Sequence, residues 1–184
     1  AIVARDFRLP DDALPVWNGG EEKLTAQSLP DEPSLLFFFA SWCRSCQAEL
    51  PVIVKLAKRK DVPFVGIAVR DKPERLERLF KKNGTPYRVV GLDDGNVWSQ
   101  KTGAVRLPTT FILNAKHDVV AKINGAMTEE LYMRAILPLL RSLKDEKALS
   151  EYLIETGIEG LNYEGIGMND LKDYLKIVAA YRAI

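Results

Sequence analysis

The chain moves between apolar runs without interruption and stretches in which apolar residues return every three or four positions. Leu35-Leu36-Phe37-Phe38-Phe39-Ala40 is apolar throughout. A run with no alternation has no solvent face, so it predicts a strand buried on both sides, as in the middle of a parallel sheet. From Cys43 the period lengthens: Cys46, Leu50, Ile53, Val54 and Ala57 follow helical spacing, and Lys58-Arg59-Lys60 closes the segment with cations that complement the helix dipole. Pro51 falls inside this helix and is expected to kink it. Phe64 to Val69 predicts a second buried strand. The next helix spans Pro73 to Asn83, with proline in its first turn and Gly84 just past its end. Leu76, Leu79 and Phe80 form its apolar face, with charges elsewhere.

Further on, Tyr87 to Leu92 reads as a short strand, Asp93-Asp94-Gly95 as a turn, and Asn96 to Thr102 as a short helix stopped by Gly103. Thr109 to Leu113 and Val119 to Ile123 flank a turn and make an antiparallel hairpin. Thr128 with Glu129 and Glu130 opens a helix carrying Leu131, Ile136, Leu139 and Leu140. Ahead of all this, the first 33 residues are punctuated by four prolines and Gly19-Gly20, with a short hairpin expected around Val16-Trp17 and Leu24. Alternating elements first and a hairpin last predict an α/β fold, a central mixed sheet flanked by helices with an antiparallel edge. Residues 1–143 form this unit and residues 144–184 a helical extension. In the extension a helix from Asp145 ends at Gly157, a glycine-rich loop follows, and Asn169 caps a helix striped with Leu171, Tyr174, Leu175 and Val178. That stripe either packs on the main unit or a second copy, or meets a partner.

Composition narrows the function classes. The chain has 26 basic and 25 acidic residues among 184, a net charge of +1, and no basic stripe, which argues against nucleic acid as a partner. No apolar run approaches the ~18–20 residues of a membrane span, and no signal-peptide pattern opens the chain, so any signal or anchor is expected to be missing from it. Two cysteines are too few for a disulfide framework; three positions apart beside a βαβ pattern, they read as a redox pair.

The chemistry concentrates in Trp42-Cys43-Arg44-Ser45-Cys46, between a buried strand and a helix. A cysteine at a helix N-terminus meets unpaired N–H groups and the positive end of the dipole, which stabilise its thiolate. Cys43 takes that position, Arg44 adds positive charge, and Cys46, one turn deeper and more buried, can close the disulfide. Zinc requires three or four protein ligands, and the only other soft ligand, His117, belongs to a hairpin turn; neither a metal nor a cofactor is expected. Glu49 lies one turn beyond Cys46. Turned inward it would be desolvated, its pKa raised, and able to move the Cys46 proton; on the helix flank it would be an ordinary solvated carboxylate, and the local sequence favours neither. Leu107-Pro108-Thr109-Thr110 precedes a strand, where a proline is allowed and is ordinarily trans. Trp17 and Trp98 are assigned to the core.

Taken together, W-C-x-x-C after an apolar strand, Pro51 five residues beyond Cys46, and Leu-Pro-Thr-Thr-Phe before a late hairpin resemble the thioredoxin superfamily. Glu49, and an inserted strand and helix over residues 83–103, bring the resemblance to its periplasmic TlpA/ResA/DsbE (CcmG) branch. The resemblance covers about Asp6 to Leu143. It implies a cis Pro108 facing the cysteines, Glu49 as the acid–base residue, and a substrate groove drawn from Trp42, Arg44, Leu107, Pro108 and Thr109. Phe37 stands six positions before Cys43, where ordinary thioredoxins carry a buried aspartate, which fits a branch that keeps its carboxylate on the helix. The implied activity is reduction of disulfides in exported proteins such as apocytochrome c, with a membrane thiol-reducing protein as electron donor and a periplasmic location. Arg106 departs from the branch's pattern before the proline, and the extension has no counterpart in it. A thioredoxin-like adaptor that recruits a partner through the C-terminal helices is the competing reading.

Overall fold

The computed structural model describes residues 9–144. Five strands form the main sheet in the order β5-β4-β3-β6-β7. They are β3 (Ser34–Phe39), β4 (Phe64–Val69), β5 (Val89–Asp93), β6 (Thr109–Leu113) and β7 (Val119–Asn124), preceded by a two-stranded ribbon of β1 (Leu14–Pro15) and β2 (Lys23–Leu24). The first three are parallel, joined through α1 (Arg44–Ala57) and α2 (Pro73–Asn83). After α3 (Val97–Thr102), β6 returns antiparallel against β3 and β7 against β6.

The unbroken apolar run is therefore the central strand, and its two faces serve two cores. Leu35, Phe37 and Phe39 join Leu50, Ile53 and Leu56 of α1, Leu76 and Phe80 of α2, and the C-terminal helical residues. Leu36 and Phe38 join Leu14, Leu24, Trp98 and Phe111 on the other side. Each such side chain contributes about 1.5–3 kcal/mol of burial, which explains why no position from Leu35 to Phe39 is polar.

The observed elements sharpen several expectations. The ribbon pairs Leu14 with Leu24, slightly earlier than Val16-Trp17, while Val16 bridges to Gly91 and closes off the outer edge of β5. The strand expected from Tyr87 begins at Val89, because Tyr87 turns into the core to stack on Phe39 at 5.0 Å. Helix α1 continues through Pro51, whose missing N–H lies on an exposed face. Trp98 is fully buried and its Nε1 donates to the Asp12 carbonyl. Trp17 stands at the core's rim, its ring 5.0 Å from Phe80, its Nε1 donating to the Pro73 carbonyl.

The last helix is not uniform. Thr128 caps α4 (Glu129–Leu131) by accepting the Leu131 N–H, a π-helical segment follows over Tyr132–Ile136, and α5 (Leu137–Lys144) completes it. Tyr132 is fully buried and donates its hydroxyl to Asp61. Helix α5 runs to Lys144, the last described residue, and the helices and glycine loop expected over 145–184 lie outside the described residues.

Candidate redox site

Sheet register gathers the candidate residues at one edge. Phe38 of β3 lies opposite Ile67 of β4 and Thr109 of β6, and Thr109 in turn lies opposite Asn124 of β7. The ends of β3, β4 and β7 and the start of β6 therefore meet there. Ala40–Cys43, Arg70–Asp71, Leu107–Pro108 and Gly125–Met127 all project from that edge. The carboxyl end of parallel strands is where α/β sheets commonly carry their sites.

Cys43 is the N-cap of α1, in extended conformation, and its Sγ accepts the Cys46 N–H at 3.2 Å. Cys43 and Cys46 form a disulfide with their Cα atoms 5.2 Å apart. The anticipated difference in their burial is slight: Cys43 is 8% exposed and Cys46 5%. Arg44 and Ser45 between them are exposed.

Glu49 resolves in favour of the inward alternative. It is 3% exposed, on the α1 face that carries Cys46, Leu50 and Ile53. Burial raises its pKa from 4.5 to about 7, and a hydrogen bond from the Met127 N–H to its Oε2 offsets part of that rise. The donor comes from the segment after β7, so the carboxyl bridges α1 and the C-terminal half of the sheet. The buried Tyr87 phenol is pushed well above its usual value, first by desolvation and then by the Glu49 charge. Phe37 packs between Phe64 and Tyr87, with centroids 5.1 and 5.7 Å away, and closes this side of the site with aromatic surface.

Around the cysteines, Trp42 is 46% exposed, with its Nε1 donating to the Arg70 and Val69 carbonyls and the Arg70 guanidinium 5.2 Å from its ring. The Leu107–Pro108 bond is cis, as the resemblance implied and the local sequence did not. Pro108 is buried and its carbonyl accepts the Gly125 N–H. Leu107 is half-buried between the two cores. Thr109 is buried and donates its hydroxyl to the Arg106 carbonyl at 2.5 Å, so only its backbone faces the site edge. His117 sits in the β6–β7 turn with φ 69°, as its turn assignment required.

Sequence reasoning overlooked three participants. Asp71, buried just beyond β4, accepts the Ser41 N–H and hydroxyl, both at 2.6 Å, and the Lys72 N–H at 2.9 Å, pinning the turn that leads into Cys43. Its place after a buried parallel strand was the available signal. Tyr87 and Met127 meet Glu49 only through tertiary packing, and nothing local marks them.

Solved structures share this fold. The thio-disulfide isomerase from Thermus thermophilus superposes with a TM-score of 0.56 at 26% identity, covering 75% of this chain and 97% of that one. A secreted thiol-disulfide isomerase from Corynebacterium glutamicum gives 0.61 at 21%, covering 77% and 91%. A thioredoxin-like sheet with a Cys-x-x-Cys disulfide at a helix entrance defines the class, a disulfide oxidoreductase. Among curated proteins, the thiol:disulfide interchange protein HelX of Rhodobacter capsulatus is 30% identical over 128 residues, 69% of this chain and 72% of the relative. DsbE of Xylella fastidiosa, another thiol:disulfide interchange protein, is 27% identical over 135 residues, 73% and 68%. The Redoxin family model matches residues 5–137, and the chain belongs to that family.

Proposed function

We propose that the protein reduces disulfides of exported polypeptides, apocytochrome c among them, outside the cytoplasm, and is itself re-reduced by a membrane thiol donor. The observation that carries this is the placement of Cys43 at the cap of α1, where its sulfur already receives a backbone N–H, with a buried carboxyl one turn beyond Cys46. In the reduced protein the Cys43 thiolate attacks one sulfur of the substrate disulfide; that S–S bond breaks, and the departing sulfur leaves as thiolate and takes a proton from water. Cys46 gives its proton to the Glu49 carboxylate and attacks the Cys43 sulfur. The second substrate sulfur then leaves, and the protein holds the Cys43–Cys46 disulfide. Pro108 and the Thr109 backbone line the substrate side, and Trp42 and Arg44 flank the entering chain. The names of the relatives and the resemblance to cytochrome c maturation reductases support this reading.

The test is a pair of substitutions with a redox titration. Cys43→Ser should abolish reduction of an insulin-type disulfide, and Cys46→Ser should accumulate mixed disulfides. Full activity in the Cys43 variant would refute the mechanism. An equilibrium potential near about −270 mV or lower marks a reductant, whereas one near about −120 mV would reverse the direction of exchange.

A further inference from the structure

Beside the cysteine pair, an open cleft of about 420 Å³ runs between the start of α1 and α2. Trp42 and Gln47 line one wall; Arg75, Arg78, Leu79 and Lys82 line the other. The three cations recur at i, i+3 and i+7, so they share one face of α2. Glu74, Glu77 and Lys81 repeat at the same spacing one position earlier, in the adjoining row of the helix, and do not line the cleft. The segregation matters because the chain as a whole is nearly neutral: this cleft holds three positive charges and no carboxylate. Among the described residues, none of the three is in an ion pair. Of the carboxylates nearby in sequence, Glu74 and Glu77 are exposed and do not line the cleft, and Asp71 is buried and occupied by Ser41 and Lys72.

A fourth cation meets the same tryptophan. Arg70 has φ 47°, a left-handed conformation that a long side chain rarely adopts. Its guanidinium lies 5.2 Å from the ring of Trp42. Trp42 immediately precedes Cys43, so the cleft shares a wall with the segment that carries the reacting cysteine.

We propose that this cleft receives an acidic stretch of the disulfide-bearing polypeptide and thereby selects among substrates. The inference rests on the disulfide-exchange reading above and names the substrate chemistry that reading leaves open. Arginine forks match carboxylates in geometry as well as in charge. From Arg75 to Lys82 the helix rises about 10 Å, the span of about three residues of extended chain. Leu79 and the exposed indole supply apolar contact between the charges. A polypeptide with acidic residues on one flank of its disulfide fits this spacing, and its carboxylates meet cations that form no ion pair with a described residue.

The experiment compares two short disulfide-bridged peptides, one with a glutamate-rich flank and one with glutamines in its place. The reduced full-length protein is assayed with each across a range of salt. The wild type should favour the acidic peptide in kcat/KM by about tenfold at low salt, equivalent to about 1.4 kcal/mol, and the preference should shrink as screening shortens the Debye length. The triple variant Arg75→Gln, Arg78→Gln, Lys82→Gln should show no preference, while the charge-conserving double variant Arg75→Lys, Arg78→Lys should keep most of it. Equal kcat/KM for both peptides in the wild type, or a preference surviving in the triple variant, overturns the cleft as an acidic-segment site. A wild type that reduces neither peptide overturns the disulfide-exchange reading itself, so the two failures are distinct. Should the triple variant not fold, the salt dependence and the lysine variant decide the question.

Discussion

Replacing Glu49 with glutamine preserves the shape of the side chain and removes one buried titration. In the disulfide form this carboxyl has its pKa raised from 4.5 to about 7, because burial disfavours the charged form more than the Met127 N–H favours it. A rise of that size is on the order of 3 kcal/mol of preference for the protonated form in the folded state. The sign follows from linkage. Between pH 4.5 and about 7 the folded protein holds a proton that the unfolded chain has released, so stability falls as pH rises across this window and is level on either side. Glu49→Gln lacks the titration, and its side-chain carbonyl still accepts the Met127 N–H. Urea unfolding of oxidised wild type and variant, followed at about pH 4 and about pH 8, should show the variant gaining on the wild type by on the order of 3 kcal/mol at the higher pH. Parallel pH curves would refute the buried-carboxyl argument. The kinetic counterpart is separate: attack by Cys43 should proceed in the variant, while resolution by Cys46 should slow by about 10²-fold or more as its base is lost. An unchanged resolving rate would remove Glu49 from the mechanism.

Two further substitutions probe the scaffold. Asp71→Ala leaves the Ser41 N–H and hydroxyl without their acceptor and should cost about 1–3 kcal/mol in urea unfolding, with slower disulfide exchange as the turn into Cys43 loosens; Asp71→Ala with wild-type stability and rate would show that the turn holds without it. Gly66→Ala places a Cβ within 2.9 Å of Phe39 and 3.0 Å of Tyr87, and prising apart that aromatic stack should destabilise by about 1–3 kcal/mol; a thermal scan showing no loss would mean that the rings shift freely.

The hydrophobic pattern specified the elements and the redox pair because both are written locally. An unbroken apolar run of strand length fits a strand covered on both faces, and Leu35–Phe39 lies in the sheet's central strand. A cysteine just before an amphipathic run is an N-cap by position, and Cys43 is one. The inward turn of Glu49 had no local signature, since one turn beyond Cys46 a carboxylate can lie on the flank or in the core. What decides it is the closure of β7 and Met127 over α1, a contact between residues 78 positions apart in the chain. The same holds for Asp71, whose partner Ser41 is 30 residues away, and for the basic face of α2. Periodicity groups Arg75, Arg78 and Lys82, but only the packing of α2 beside α1 sets them next to Trp42. Local sequence determines where charge and apolar surface lie along each element. Desolvation and proximity, which give the site its chemistry, exist only once the sheet has brought distant segments to one edge.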